Sequence, residues 1–364
     1  MHLISLSVLD FRNIAAATVD FDAVGTTVIT GPNGAGKTNL LEAVGYLGTL
    51  RSFRGAPREA MVRQGATTAI VRAEVETGPR SVTIEAELPT EGRARTMVNR
   101  QAVRRRSDLH DALRCTVFSP HDITIVQGGP SDRRRFLDET LEIVDPKLAR
   151  AAEDVDRILR QRGALLKNAH RQPVTDVDSS LVVWDQRLDD AGTLLAEARE
   201  QLLEQLAPRL ADQYGRLSGQ SPAPSARYER SWNGRLADAL VSHRAVDLAR
   251  GVTSVGPHRD DVELLIGGLP ARTHTSQGEQ RSLALALRLA AHQLATERLG
   301  EPPILLLDDV FSELDEARRK ALMAGLAGGQ TLLTTAVPPP QEVTVAEVLE
   351  VGPGGVVHAR EATP

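Results

Sequence analysis

The chain has 364 residues, 41% of them hydrophobic, a formal charge of -5 at pH 7 and a single cysteine, Cys115. That content buries a large core in one large domain or two to three smaller ones, and it excludes a disulfide framework and a protein that coats polyanions over its whole surface. The longest apolar runs, Leu283–Leu287 and Ile304–Leu307, fall far short of the ~18 residues a membrane span needs, so a cytoplasmic, reduced setting is expected. No CxxC, repeat, low-complexity tract or helically spaced histidine pair is present, and a structural metal is not expected.

From His2 to Phe21 apolar and polar residues alternate on either side of Arg12-Asn13, as two short antiparallel strands would. An apolar run then feeds Gly31-Pro32-Asn33-Gly34-Ala35-Gly36-Lys37-Thr38, which fits GxxxxGK[ST] and opens an amphipathic stretch at Asn39. The physical reading is a strand, a phosphate-binding loop and a helix. Glycines let successive N–H groups reach a phosphate, Lys37 neutralises its charge, and Thr38 ligates Mg²⁺.

Strand-like runs follow at Ala69–Val75, Ser81–Leu88 and Thr96–Val98, with turn residues between them. Arg93, Arg95, Arg100, Arg104, Arg105 and Arg106 then place six positive charges in an acid-free span, and Arg133-Arg134-Arg135 adds three more. Both clusters are candidate phosphate contacts to nucleic acid, and both also fit a solvated or internally paired face. After Pro130 the period becomes helical, over Pro146–Asn168 and Leu181–Leu217, with a turn expected around Gln172–Asp176 and a loop over Ser218–Ser225. From about Val255 short buried strands return. The expected organisation is an α/β domain over 1–130 and 251–364, split by a mostly helical lobe over 131–250.

Near the end, Thr275-Ser276-Gln277-Gly278-Glu279-Gln280 opens a helix carrying Leu283, Leu287 and Ala291 on one face. Alone it reads equally as a capping box, Ser276 with Glu279, or as a second anion-binding helix terminus. Ile304–Leu307 then runs into Asp308-Asp309, where the first carboxylate is placed to hold Mg²⁺ through water and the second to orient an attacking water.

Phosphate loop, Ser276–Gln280, the Asp308-Asp309 strand and Ser312-Glu313-Leu314-Asp315 occur in the order of Walker A, signature, Walker B and D-loop, and the set resembles the ABC-type ATPases. That resemblance implies ATP held between the phosphate loop of one copy and Ser276, Gln277, Gly278 and Glu279 of another, in an ATP-dependent homodimer that hydrolysis reverses. An insertion of about a hundred residues is too short for the long coiled coils of structural-maintenance ATPases. The run Thr331–Ala336 lacks the histidine of transport ATPases, which disfavours a transport subunit.

Ser52-Phe53-Arg54, Phe118–Asp122, Gly129-Pro130 with Arg133–Asp138, Trp184-Asp185 and Gly256-Pro257-His258-Arg259-Asp260-Asp261 further resemble the RecF family of bacterial replication and repair proteins, from His2 to Thr335. The resemblance implies an ABC-type head, slow DNA-stimulated ATP hydrolysis, binding to single-strand gaps and their junctions in recombinational repair and the SOS response, and RecR- and RecO-type partners. It also brings Arg12, Arg54, His258 and Arg259 toward nucleotide. A nucleotide-stabilised DNA-binding module with incidental hydrolysis is the alternative.

Overall fold

The computed structural model describes residues 1–21, 25–103, 106–109, 111–169, 173–219, 222–326, 328–336, 345–352 and 357–360. Their contacts divide the chain into two compact units: Met1–Ile123, Asp212–Ser221 and Ser276–Pro364 in one, Thr124–Ala211 and Pro222–Thr275 in the other.

The first unit begins with β1 (His2–Phe11) and β2 (Ile14–Asp20), then β3 (Thr26–Thr30), α1 (Lys37–Thr49), β4 (Thr68–Thr77), β5 (Arg80–Pro89), β6 (Arg95–Val98), β7 (Gln101–Ala102) and β8 (Cys115–Phe118). The second unit holds α2 (Thr124–Gln127), α3 (Pro130–Val144), α4 (Pro146–Asn168), most of α5 (Val174–Ser218), β9 (Pro224–Glu229), α6 (Leu236–Arg250), β10 (Asp261–Ile266), β11 (Leu269–Pro270) and α7 (Ala271–His274). The chain re-enters the first unit with α8 (Gln277–Leu299), β12 (Ile304–Asp308), α9 (Glu316–Ala324), β13 (Thr331–Thr334), β14 (Glu347–Val351) and β15 (Val357–Arg360).

Two sheets build the first unit. An antiparallel sheet runs β2-β1-β4-β5-β6-β7, and β4 and β5 alternate buried and exposed side chains along most of their length, as one-face burial requires. The other runs β15-β14-β3-β13-β12-β8, parallel throughout except for the β14–β15 pair. Every residue of β12 and β13 is buried, as in the interior of a parallel sheet. Gln330 ties the sheets together: its Oε1 accepts from Leu3 N at 2.7 Å and its Nε2 donates to Leu3 O at 2.8 Å, beside the irregularity where β1 slips its register against β4.

In the second unit β9, β10 and β11 form an antiparallel sheet accompanied by helices. This sheet explains the main difference from the expected organisation. The β10 strand pairs with β9, so residues 251–275 stay with the lobe and the return falls at Ser276, while the end of α5, expected within the lobe, belongs to the first unit. Arg162 of α4 is fully buried and donates to Asp185 at 2.8 Å, Asp247 at 2.7 Å and Thr253 at 2.8 Å.

Gln330→Ala strips both bonds from a buried strand and is expected to cost on the order of 2 kcal/mol. Urea unfolding should show a lower midpoint with an unchanged slope; an unchanged midpoint would show that the bridge is dispensable.

Candidate functional site

Gly31 leaves the end of β3 with a φ of 145°, and a Cβ there would strike the Val351 carbonyl of β14. Gly36 has a φ of 120°, and a Cβ there would lie 3.0 Å from Asn13 Oδ1. Gly34, at φ 80°, also needs glycine for its backbone, while at Gly31 and Gly36 a neighbouring group excludes a side chain as well. Asn13, in the turn between β1 and β2, braces the loop by donating Nδ2 to Gly34 O at 2.8 Å and accepting from Asn39 Nδ2 at 2.7 Å. Lys37 opens α1 and donates Nζ to Gly31 O at 2.8 Å and Pro32 O at 3.1 Å, so its ammonium lies over the loop.

Three segments far apart in sequence meet at Asp308. Its Oδ1 accepts from Thr38 Oγ1 at 2.8 Å and from Thr334 Oγ1 at 2.7 Å. Burial pushes this carboxyl above its ordinary range; the two threonine hydroxyls oppose the shift, and the Asp309 charge adds to it. Asp309 follows in the left-handed region, at φ 45°, with its N–H donating to Thr334 O at 3.1 Å. Its Oδ2 accepts from Ser312 Oγ at 3.0 Å, while its buried Oδ1 has no hydrogen-bond partner among the described residues. Lys37, Thr38, Asn39, Arg54, Asp309 and Thr334 line a single polar cleft with the loop residues Asn33, Gly34 and Gly36.

The buried Asp308 carboxylate and the Thr38 hydroxyl beside it make an all-oxygen set that fits a hard divalent cation. Thr334 stands in a run that the sequence marks as a parallel-sheet strand lacking a histidine, with no role for its hydroxyl. It fastens Asp308, and only the pairing of β13 with β12 brings it there.

Ser276 caps α8: its Oγ accepts from Glu279 N at 3.3 Å, and Glu279 Oε2 accepts from Ser276 N and Oγ, each at 2.8 Å. The capping box is real. Those bonds hold the Glu279 carboxyl below its ordinary range. Ser276 and Gln277 are exposed, and neither they nor Gly278 and Glu279 line the cleft of their own chain.

The basic clusters separate. Arg93, Arg95 and Arg100 are exposed about the β6–β7 hairpin, with Asn99 and Arg100 supplying the positive-φ turn. Arg104 and Arg105 lie outside the described residues, and Arg106 begins a short 3₁₀ turn. Arg133 is turned away from solvent, unlike a DNA contact: it is buried, with Nε and Nη2 on the two Asp261 oxygens at 2.7 and 2.9 Å, while half-buried Arg134 donates to Asp260 O. Arg135 remains exposed, 3.6 Å from Asp132. The Gly256–Asp261 motif serves the lobe's own interior: Pro257 O accepts from Arg199, His258 and Arg259 bond Thr253 O, and Asp260 accepts from Tyr228 and Ser231. Burial drops His258 to about 4. Arg12 is held by Glu42 and Ala60 O, and Arg54 alone of these expected arginines lines the cleft.

The chain has the fold of an ABC- and SMC-type ATPase head, and residues 2–335 match the family described as RecF/RecN/SMC N terminal domain. The head of the Smc protein of Pyrococcus furiosus shares that fold, with a TM-score of 0.59 at 16% identity over 99% of this chain and 96% of that one.

Within this class the chain belongs to the RecF family. It is 41% identical to the DNA replication and repair protein RecF of Streptomyces avermitilis over 92% of this chain and 93% of the relative. It is 40% identical to that of Kineococcus radiotolerans, over 93% of each. A solved structure of the recombination mediator protein RecF-ATP, of the RecFOR pathway, gives a TM-score of 0.90 at 29% identity over 99% of this chain and 97% of that one.

The raised Asp308 carboxyl sets a sign. Below the ordinary carboxylate value its ionisation costs nothing; the cost grows as pH rises and is full above the raised value. Asp308→Asn keeps an acceptor for both threonines and should therefore melt higher than the wild type at pH 7 without nucleotide, and show no melting shift with Mg²⁺ and ATP. A lower melting temperature without nucleotide would contradict the buried-charge assignment.

Proposed function

We propose that this chain is an ATP-dependent DNA-binding protein of recombinational repair, whose head binds ATP in the Lys37–Thr38–Asp308 cleft and closes on a second copy. One observation carries the reading: the phosphate loop and Asp309 line one cleft, while exposed Ser276 and half-buried Gly278 line no part of it. A signature that does not line its own cleft supports a role at the nucleotide of a second copy. The exposed first turn of α8 adds N–H groups and a helix terminus suited to the γ-phosphate.

Gly34, Gly36 and Lys37 bind and orient the polyphosphate. Thr38 and Asp308 hold Mg²⁺, which when bound neutralises charge on the phosphate oxygens. Asp309, through the oxygen that no other group occupies, accepts a hydrogen bond from the attacking water. The water oxygen bonds to the γ-phosphorus as the bond to the bridging oxygen breaks, the water proton passes to Asp309 and from it to the product phosphate, and ADP and hydrogen phosphate result. Loss of the γ-phosphate removes contacts between the copies, and the dimer opens.

DNA binds through backbone phosphates, with exposed Arg93, Arg95, Arg100 and Arg135 as contacts, at gaps and junctions where RecR- and RecO-type partners act. Aromatic residues are 3% of the chain, too few for a stacking platform of any length. Hydrolysis is slow and DNA-stimulated in this reading, with the shorter Asp309 in place of a glutamate.

Asp309→Asn should dimerise with Mg²⁺ and ATP and hold gapped DNA as the wild type does, hydrolyse ATP at least about a hundredfold more slowly, and fail to release DNA. Light scattering with a filter-binding chase checks this. Normal DNA release by this variant would favour a binding module in which hydrolysis is incidental.

Replacing Arg95 and Arg100 together by Ala should shallow the plot of log affinity against log salt by about two units. An unchanged slope would remove the β6–β7 hairpin from the DNA interface.

A further inference from the structure

Glu42 of α1 is fully buried, a little over one helical turn beyond Lys37, and is contacted from three directions. Arg12 grips it with two bonds, Nε to Oε2 at 2.8 Å and Nη2 to Oε1 at 2.7 Å. Ser52 Oγ donates to Oε1, and that same hydroxyl accepts the backbone N–H of Arg54 at 3.1 Å and of Ala56 at 3.2 Å. Arg54 Nη1 lies 3.8 Å from Oε2 and donates to Asn39 Oδ1 at 3.2 Å.

The charges do not cancel. Arg12, bidentate on Glu42, accounts for the single carboxylate charge, so the more distant Arg54 guanidinium is steered by Glu42 without being neutralised. Arg54 is 40% exposed and lines the cleft with Lys37 and Thr38. Its backbone hangs from Ser52, and Ser52 hangs from Glu42. A carboxylate kept only to satisfy Arg12 would have no need of the Ser52 arm, which sets the path of the chain from Ser52 to Ala56.

We propose that Glu42 is a positioning residue for nucleotide: through Ser52 and by direct attraction it holds the Arg54 guanidinium, whose charge it does not neutralise, against the polyphosphate in the cleft. The inference rests on the nucleotide reading above and assigns a role to the Ser52-Phe53-Arg54 segment. Glu42 itself touches no nucleotide, and its effect passes wholly through Arg54.

A double-mutant cycle tests it, reading the affinity for Mg²⁺ and ATP together with KM and kcat on the full chain. Ser52→Ala removes one arm and leaves the buried Glu42–Arg12 pair intact, so it tests the idea even if Glu42→Gln does not fold. Arg54→Ala should weaken ATP binding about tenfold, the size of one charge-assisted contact, and Ser52→Ala about threefold, seen in KM more than in kcat. In the Arg54→Ala background, Ser52→Ala should cost nothing further. Where it folds, Glu42→Gln should match Arg54→Ala, and again add nothing to it.

Equal costs for Ser52→Ala in both backgrounds would show that Glu42 and Ser52 act on the fold alone and would overturn the proposal. So would unchanged affinity in Ser52→Ala or in Arg54→Ala. Lys37→Ala separates the two levels: if it binds ATP as well as the wild type, or if the wild type binds none, the nucleotide reading fails and this inference falls with it.

Discussion

Asp308 and the two hydroxyls that meet on it, Thr38 and Thr334, tie together the phosphate-loop helix, the Walker B strand and the neighbouring strand β13. A carboxylate taken out of water is costly, and here the cost is met only in part by two neutral donors. The arrangement becomes favourable when a cation shares the carboxylate. Its place at the carboxyl end of a parallel sheet follows from β12 and β13, whose wholly buried residues leave their last side chains as the first polar groups on that edge. The fold therefore delivers a charge that is poorly solvated alone to the point where a hard ion and phosphates can use it.

Around that point, braces come from parts of the chain that form no part of the nucleotide motif. Asn13 lies in the β1–β2 turn of the antiparallel sheet, yet it fixes Gly34 and Asn39. Gln330 fastens β1 to the segment entering β13. The antiparallel layer thus braces the phosphate loop from outside. This gives a physical reason for the layer to precede the loop directly in sequence.

The phosphate loop and the Asp308-Asp309 strand were legible because each is a continuous segment whose chemistry and flanks are local. Ser276–Gln280 was half legible: the capping box follows from spacing, while its outward presentation needs the folded unit. Thr334, Asn13 and Glu42 were not legible. Their roles are pairings across 26, 21 and 30 positions with Asp308, Gly34 and Arg12, and no local pattern encodes such a partner. Arginine runs misled for a related reason. Arg133 and Arg135 differ by two positions on a helix and so point to different faces, one onto Asp261 and the other to solvent. The return from the lobe falls later than the sequence pattern suggests because the short strand β9 opens on Pro224, inside the proline-rich Ser218–Ser225 stretch that reads as a loop, and without β9 the pairing that keeps β10 in the lobe is invisible.

The central claim is that one nucleotide is completed by two copies of the chain. Mixing tests it most directly. Lys37→Ala chains lack a working phosphate loop and Ser276→Arg chains lack a working signature, so neither should hydrolyse ATP alone. A mixture should recover hydrolysis, because the loop of a Ser276→Arg chain can face the signature of a Lys37→Ala chain. If the mixture is as inactive as its parts while wild type is active, or if Ser276→Arg is active alone, the composite site is wrong and each chain acts on its own nucleotide.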